Sequence, residues 1–204
     1  MRKIENIIFD LGGVILDIDY NLTRAAFEKL GIVHFDEMYS QASADKLFQK
    51  LETGSISEEF FFKGLNKCVG IQLSPVEITT AWNLMLLQFR ETSLGFLEEI
   101  KPRYNLYLFS NTNYIHMAAF EKIFHEKFRI QPFNEYFKHA FYSCDIGLRK
   151  PDMESYQWII AHLKISPEKT LFIDDTVQNV EAAKRVGMQA ILLNPGKKIE
   201  DLGL

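Results

Sequence analysis

Short runs of apolar residues recur along the chain, each stopped by a polar or glycine-containing turn. They are Ile4–Phe9, Leu106–Phe109, Ala140–Ser143, Thr170–Ile173 and Gln189–Leu193. Unbroken apolar runs of this length mark strands buried on both faces, as in parallel sheets. Apolar positions at helical spacing fill Tyr114–Lys127, Asp152–Leu163 and Val177–Val186, the last stopped by Gly187. Strand and helix thus alternate, which predicts an α/β fold with a Rossmann-like parallel sheet. The first strand should be central, flanked by the second and fourth, with right-handed crossovers.

Residues 20–101 break this rhythm, with almost no strand signal and several helix starts. Ser74-Pro75-Val76-Glu77 is a capping box with proline at the first helical position, and it predicts a helix through Arg90. Ser57 is positioned to cap a helix carrying Phe60, Phe61, Leu65 and Cys68, and Asn21–Leu30 and Phe35–Leu51 are further helical stretches. Ordinary strand-to-helix connections run about 2–6 residues. This block is therefore expected to be a small inserted all-helical domain over the carboxyl edge of the sheet. The expected division is a core of residues 1–18 and 92–204 and a helical insert of 19–91. The Phe60-Phe61-Phe62 run, Trp82, Met85 and Phe89 fit packing of that insert, whose aromatics could also line a substrate pocket.

Composition sets limits. The chain has 204 residues, 47 % of them hydrophobic, and its 17 Phe and 8 Tyr supply burial that excludes disorder. With 23 Lys+Arg against 27 Asp+Glu, the net charge of −4 argues against a nucleic-acid or anionic-membrane partner. Small anionic substrates need only a local positive pocket and stay open. Cys68 and Cys144 form no CxxC pair and no disulfide framework, so both read as small core residues in a reducing cytoplasm. Glu5, Asn6 and Asp10 interrupt the amino-terminal apolar run, against a signal peptide, and no stretch is long enough for a membrane span.

The chemistry collects at strand ends, where open parallel sheets bind ligands. Asp10 follows the first strand, Ser110-Asn111-Thr112-Asn113 the second, Lys150 the third and Asp174-Asp175 the fourth. Taken alone, Asp174-Asp175 and Ser110-Asn111 could be helix caps, Lys150 a solvated loop residue and Gly12-Gly13 a tight turn. Carboxylates on two strands, with a lysine and hydroxyl or amide donors on two others, describe a site for Mg²⁺ and phosphate. Mg²⁺ takes one or two protein carboxylates and completes its octahedron with water and substrate oxygens. No histidine among His34, His116, His125, His139 and His162 pairs at metal-ligand spacing, so all read as surface or partly buried helix residues. Asp17 and Asp19 read as capping or solvating groups.

These clusters, in this order, resemble the motifs of the haloacid dehalogenase (HAD) superfamily along the whole chain. The first motif matches Ile7-Ile8-Phe9-Asp10-Leu11-Gly12-Gly13-Val14, with a flap segment at Ile15-Leu16-Asp17; the second matches Ser110 with Asn111. The third matches Arg149-Lys150-Pro151, and the fourth Phe172-Ile173-Asp174-Asp175 with Asn179 beyond. The insert resembles the family's C1-type cap. The resemblance implies phosphoryl transfer from a small phosphorylated metabolite, with Asp10 as nucleophile. Lys150 would balance charge, and Ser110, Asn111 and Lys150 would hold the phosphoryl group. Mg²⁺ would lie between Asp10, the carbonyl of Gly12, Asp174 and Asp175, with Asp175 the direct ligand of the pair. Most phosphatases of the family carry an acid two residues after the nucleophile, where this chain has Gly12. The Asp10-Leu11-Gly12 start, with Ser110-Asn111-Thr112-Asn113 and Arg149-Lys150-Pro151, resembles the α-D-glucose-1-phosphate phosphatase branch, a resemblance that favours sugar phosphates. A 2-haloacid dehalogenase, or a catalytically weak binding or regulatory protein, are the rival readings. Gly12 and the Asp174-Asp175 pair count against the dehalogenase.

Overall fold

The computed structural model describes residues 3–33, 35, 42–128 and 131–204, with 42–45 as backbone only. In chain order the first elements are β1 (Asn6–Phe9), β2 (Leu16–Ile18), α1 (Tyr20–Lys29), α2 (Ala42–Glu52), α3 (Glu58–Val69), α4 (Pro75–Asn83) and β3 (Leu86–Phe89). There follow α5 (Glu91–Ile100), β4 (Asn105–Ser110), α6 (Tyr114–Lys127), β5 (His139–Tyr142) and α7 (Ser143–Ile146). The chain closes with α8 (Met153–Leu163), β6 (Thr170–Asp174), α9 (Val177–Arg185) and β7 (Gln189–Leu192).

The main sheet runs β5-β4-β1-β6-β7 with every neighbouring pair parallel, so β1 is central and flanked by β4 and β6 as expected. Its strands alternate between two cores. Ile7, Phe9, Leu106, Leu108, Leu171 and Ile173 face one layer, covered by α5 and α6. Ile8, Tyr107, Phe109 and Phe172 face the other, covered by α8 and α9. Burial on both faces is why these strands read as unbroken apolar runs. Each fully buried Phe or Leu stabilises the fold by about 1.5–3 kcal/mol.

The helical insert has its own core, built on Phe27, Phe48, Phe61, Leu65, Ile78 and Trp82. Its capping signals act as expected. Ser57 Oγ accepts from the Phe60 N–H at 3.2 Å, and Ser74 and Glu77 bond reciprocally at 3.2 and 2.8 Å. Asp19 caps α1 by accepting from the Asn21 N–H. His34 and residues 36–41 of the expected 35–51 helix lie outside the described residues.

Two expectations need correction. The helix opened by the capping box ends at Asn83 rather than continuing to Arg90. Thr23 Oγ1 lies 2.9 Å from the Trp82 carbonyl and accepts from the Met85 N–H, so the helix end is satisfied from α1. Leu86–Phe89 then pairs antiparallel with β2 as a small flap, and Arg90 Nε donates to Asp17 at 2.6 Å. That ladder joins residues some seventy positions apart, which local periodicity does not register. Phe89 accordingly packs beside Phe124 and Phe133 of the main core, not in the insert. The second correction is Cys68, which is exposed, whereas Cys144 is buried. Among the described residues no helix is long and apolar enough to cross a membrane.

Insert and core meet along α6. Ile115 of α6 joins the apolar core of the insert. His116 stacks on Trp82 at 5.3 Å and 5°, and its Nδ1 lies 2.8 Å from Asn83 Oδ1. With an amide oxygen as partner, Nδ1 carries the proton. Burial pushes the imidazole pKa down to about 3, so His116 is a neutral buried residue and not a surface one.

This burial has a measurable sign. The unfolded chain binds the proton at its ordinary 6.5 and the folded chain only near 3, so the stabilisation is complete above 6.5 and lost progressively toward 3. Between those limits the slope is about 1.4 kcal/mol per pH unit from this residue. Urea unfolding at about pH 7 and about pH 5 should therefore cost wild type roughly 2 kcal/mol more than His116→Phe. Parallel losses in the two proteins would mean that the folded imidazole is charged.

Candidate active site

Because β1, β4 and β6 are parallel neighbours, their carboxyl ends open on one edge and deliver their terminal side chains together. Phe9 pairs with Ile173 in register, which sets Asp10 beside Asp174, and the Asp10 N–H donates to the Ile173 carbonyl at 2.9 Å. Lys150 reaches in from the loop before α8, and only 1 % of it is exposed. Its Nζ lies 2.7 Å from Asp10 Oδ1 and 2.7 Å from Asp174 Oδ2. The rings of Phe109 and Phe172 sit 5.3 and 5.6 Å from the same ammonium and keep water away from it.

The two acids of the fourth strand are not equivalent. Asp174 is fully buried and its carboxylate is saturated by protein donors. Oδ1 accepts from the Thr176 N–H at 2.8 Å and from Asn179 Nδ2 at 3.1 Å, and Oδ2 accepts from Lys150 and Asn179. Asp175 is exposed toward the cavity, and Thr176 Oγ1 donates to its Oδ1 at 3.3 Å. Carboxylate oxygens of Asp10, Asp174 and Asp175 lie within 4.8 Å of one another. Fully ionised, three carboxylates against one ammonium would leave two uncompensated negative charges in a largely buried cluster. Burial, reinforced by Asp174 and opposed by Lys150, raises the Asp10 pKa to about 7. Burial alone would lower the Lys150 pKa, but Asp10 and Asp174 outweigh it and raise it. A hard divalent cation on the open side of Asp175 and Asp10 fits this excess of oxygen ligands and charge.

The glycines after Asp10 differ in kind. Gly13 has φ +72°, and a Cβ there would fall 1.9 Å from Asp175 Oδ2, so no side chain is admitted. Gly12 has no such constraint, and a Cβ there would meet only the Ile18 side chain, at 3.2 Å from Cδ1 and 3.7 Å from Cγ2.

Ser110 ends β4 and lines the cavity beside Asn111. The Asn111 side chain is engaged elsewhere: Nδ2 donates to the Lys150 carbonyl at 2.8 Å and Oδ1 accepts from the Lys150 N–H at 2.9 Å. It clamps the lysine loop. Asn113 caps α6 by accepting from the His116 N–H at 3.0 Å. Asp10, Gly12, Ser110, Asn111, Lys150 and Asp175 thus line one cavity of about 360 Å³. The insert adds to this wall through Glu52, the last residue of α2, which lies 3.0 Å from Arg149 of the lysine loop. Arg149 was within reach of sequence reasoning as the neighbour of Lys150, but nothing local marks Glu52. A second cavity of about 470 Å³ continues inward between insert and core, sharing Gly12, Ile18, Tyr20, Glu52, Ser110 and Asn111. His116, Trp82 and Met85 lie on its walls.

Comparison with known proteins accords with this geometry. The chain is 33 % identical over 187 residues to a D-ribitol-5-phosphate phosphatase of Bacteroides thetaiotaomicron, covering 91 % of this chain and 90 % of that one. It is 26 % identical over 188 residues to a sesquiterpene phosphatase of Aspergillus oryzae, covering 91 % and 88 %. The crystal structure of a HAD family enzyme of Bacteroides thetaiotaomicron, in complex with magnesium and inorganic phosphate, superposes with a TM-score of 0.88 at 29 % identity over 98 % of each chain. A family model for haloacid dehalogenase-like hydrolases matches residues 4–187, and the chain belongs to that family.

Proposed function

We propose that the chain is a Mg²⁺-dependent phosphatase that hydrolyses a small phosphorylated metabolite, with sugar and polyol phosphates favoured, through an aspartyl-phosphate on Asp10. The observation that carries this reading is the buried Asp10–Lys150–Asp174 chain with Asp175 open beside it. It supplies a fixed carboxylate nucleophile, a fixed cation and an unmet demand for a second cation. The likeness to a phosphatase over nearly the full length of both chains supports the same activity. The net charge of −4 supports a small substrate over a nucleic acid, and the two unpaired cysteines support the cytoplasm. The same reading divides the chain into a core of 1–18 and 92–204 and a cap of 19–91.

In this mechanism an Asp10 oxygen attacks phosphorus as the bond to the departing oxygen breaks, leaving the phosphoryl group on Asp10. Lys150 holds Asp10 in place and lowers the repulsion between an anionic nucleophile and an anionic substrate. Ser110, at the end of β4, holds phosphoryl oxygens while the Asn111 amide fixes the lysine loop beside it, and water then releases phosphate and regenerates Asp10. Asp10, the Gly12 carbonyl and Asp175 would hold Mg²⁺, with Asp174 behind them as the anchor of Lys150. The bound ion would neutralise charge on the phosphoryl oxygens. Asp175 is preferred to Asp174 as the direct ligand because every oxygen of Asp174 already accepts a protein hydrogen bond.

Asp10→Asn should melt close to wild type yet lose roughly 10³-fold or more in turnover on a panel of phosphomonoesters. Near-wild-type turnover would remove Asp10 from its role. The neighbouring acids should separate by readout. Asp175→Asn should raise the Mg²⁺ concentration needed for half-maximal rate with little change in melting. Asp174→Asn should cost on the order of 3 kcal/mol in urea unfolding, because it disturbs a buried ion pair. Activity independent of metal in wild type would return the dehalogenase reading to the lead.

With Gly12 in place of the usual acid, wild-type rates should depend steeply on leaving-group pKa, with aryl phosphates fast and simple alkyl phosphates slow. Gly12→Asp should flatten that dependence, gaining part of the roughly 10²–10⁴-fold that a general acid supplies. Its Cβ needs only a few tenths of an ångström of yielding from Ile18, so the variant should fold. A flat dependence in wild type, with chemistry rate-limiting, would place the proton donor elsewhere.

A further inference from the structure

The inner cavity is where the departing alcohol of a phosphomonoester would sit, and the polar groups on its walls are mostly engaged. Thr23 Oγ1 is tied to the end of α4, Asn113 Oδ1 to the start of α6 and the Asn111 amide to the lysine loop. No lysine or arginine lines this cavity among the described residues. A second phosphate or a carboxylate on the departing group would find no countercharge there.

His116 is different. Its ring is fixed on one side by the Trp82 stack and at Nδ1 by Asn83. Asn83 itself lies outside this cavity, on its far side. With the proton on Nδ1, Nε2 presents a bare lone pair, and it has no hydrogen-bond partner among the described residues. Leu16, Ile18, Met85, Leu86 and Phe120 form the apolar part of the same wall. Once a bound ligand has displaced water from the cavity, an acceptor held rigid there is satisfied only by a donor that the ligand brings. A polar group built to meet a hydroxyl discriminates strongly against analogues that lack it.

Resting on the phosphatase reading above, we infer that His116 is a specificity residue whose Nε2 accepts a hydrogen bond from a hydroxyl of the departing group. The preferred substrates are then monophosphates of uncharged, hydroxylated alcohols of sugar or polyol size. Monophosphates of purely hydrocarbon alcohols, bisphosphates and phosphorylated acids are disfavoured. Glu52, ion-paired with Arg149 at the junction of the two cavities, is a second acceptor facing the same ligand.

The test measures kcat/KM for wild type and His116→Phe on three kinds of substrate: a pentitol 5-phosphate, its singly deoxygenated analogues and phenyl phosphate. Phenylalanine keeps an aromatic ring, somewhat larger than the imidazole, against Trp82 and removes both ring nitrogens. The variant should lose about tenfold on the pentitol phosphate, the worth of one neutral hydrogen bond, and stay within about twofold on phenyl phosphate. One deoxy analogue should carry the same roughly tenfold penalty in wild type and none in the variant, which a merely structural role would not produce. Equal losses on pentitol and phenyl phosphate, or a deoxy penalty that persists in the variant, overturn the assignment. Should the variant fail to fold, the wild-type deoxy series still decides, since a flat series overturns it. Wild-type enzyme inactive on every phosphomonoester overturns the phosphatase reading as well, whereas activity without hydroxyl dependence overturns this inference alone.

Discussion

A buried ammonium held at 2.7 Å from two carboxylates is the contact on which the rest of the site depends. Lys150 is almost wholly removed from water, so its charge depends on the carboxylates beside it, above all on Asp174, which is itself fully buried. Those carboxylates come from β1 and β6, which meet in parallel register at Phe9 and Ile173. Any slip of one strand past the other would separate them and strand the lysine. The sheet topology and the ion pairs therefore specify each other. The clamp between Asn111 and the Lys150 backbone adds a third strand end to the same constraint.

Much of this was legible because it is local. Strands buried on both faces show as apolar runs, and the polar residue that ends each one must emerge at the same edge of a parallel sheet. That is why Asp10, Ser110 and Asp174 could be grouped across more than 160 positions of sequence. Lys150 was legible only through its place between the second-strand cluster and the Asp174-Asp175 pair, since a lysine before a proline signals nothing by itself. The β2–β3 flap was not legible: its strands are 3 and 4 residues long, and each exists only through pairing with the other. Glu52 and His116 escaped for a related reason. Their relevance depends on how the helical insert lies against the core, and neither carries a local signal of that arrangement.

The roles within the site also sort by what already touches each group. Asp174 and Asp175 are adjacent and chemically identical, yet one is saturated by Lys150, Thr176 and Asn179 and the other faces the cavity. Asn111 has the right chemistry to bind phosphate, but its amide holds the lysine loop instead. Residue type proposes a role, and the state of its hydrogen bonds decides it.

Helix α6 starts three residues beyond Asn111, is capped by Asn113, and within its first turn carries Ile115 and His116 against the insert. On the proposed reading, the group that meets the departing alcohol is thus rigidly coupled to the strand end that would meet the phosphate, although it packs against the insert. Exchanging inserts between relatives would then transplant less selectivity than their position suggests. A chimera keeping this α6 under a foreign cap would retain part of the parental preference, and one that imported a cap without residues like Trp82 and Asn83 would let the imidazole turn. On that reading, a change of substrate range calls for paired changes on both sides of the cleft.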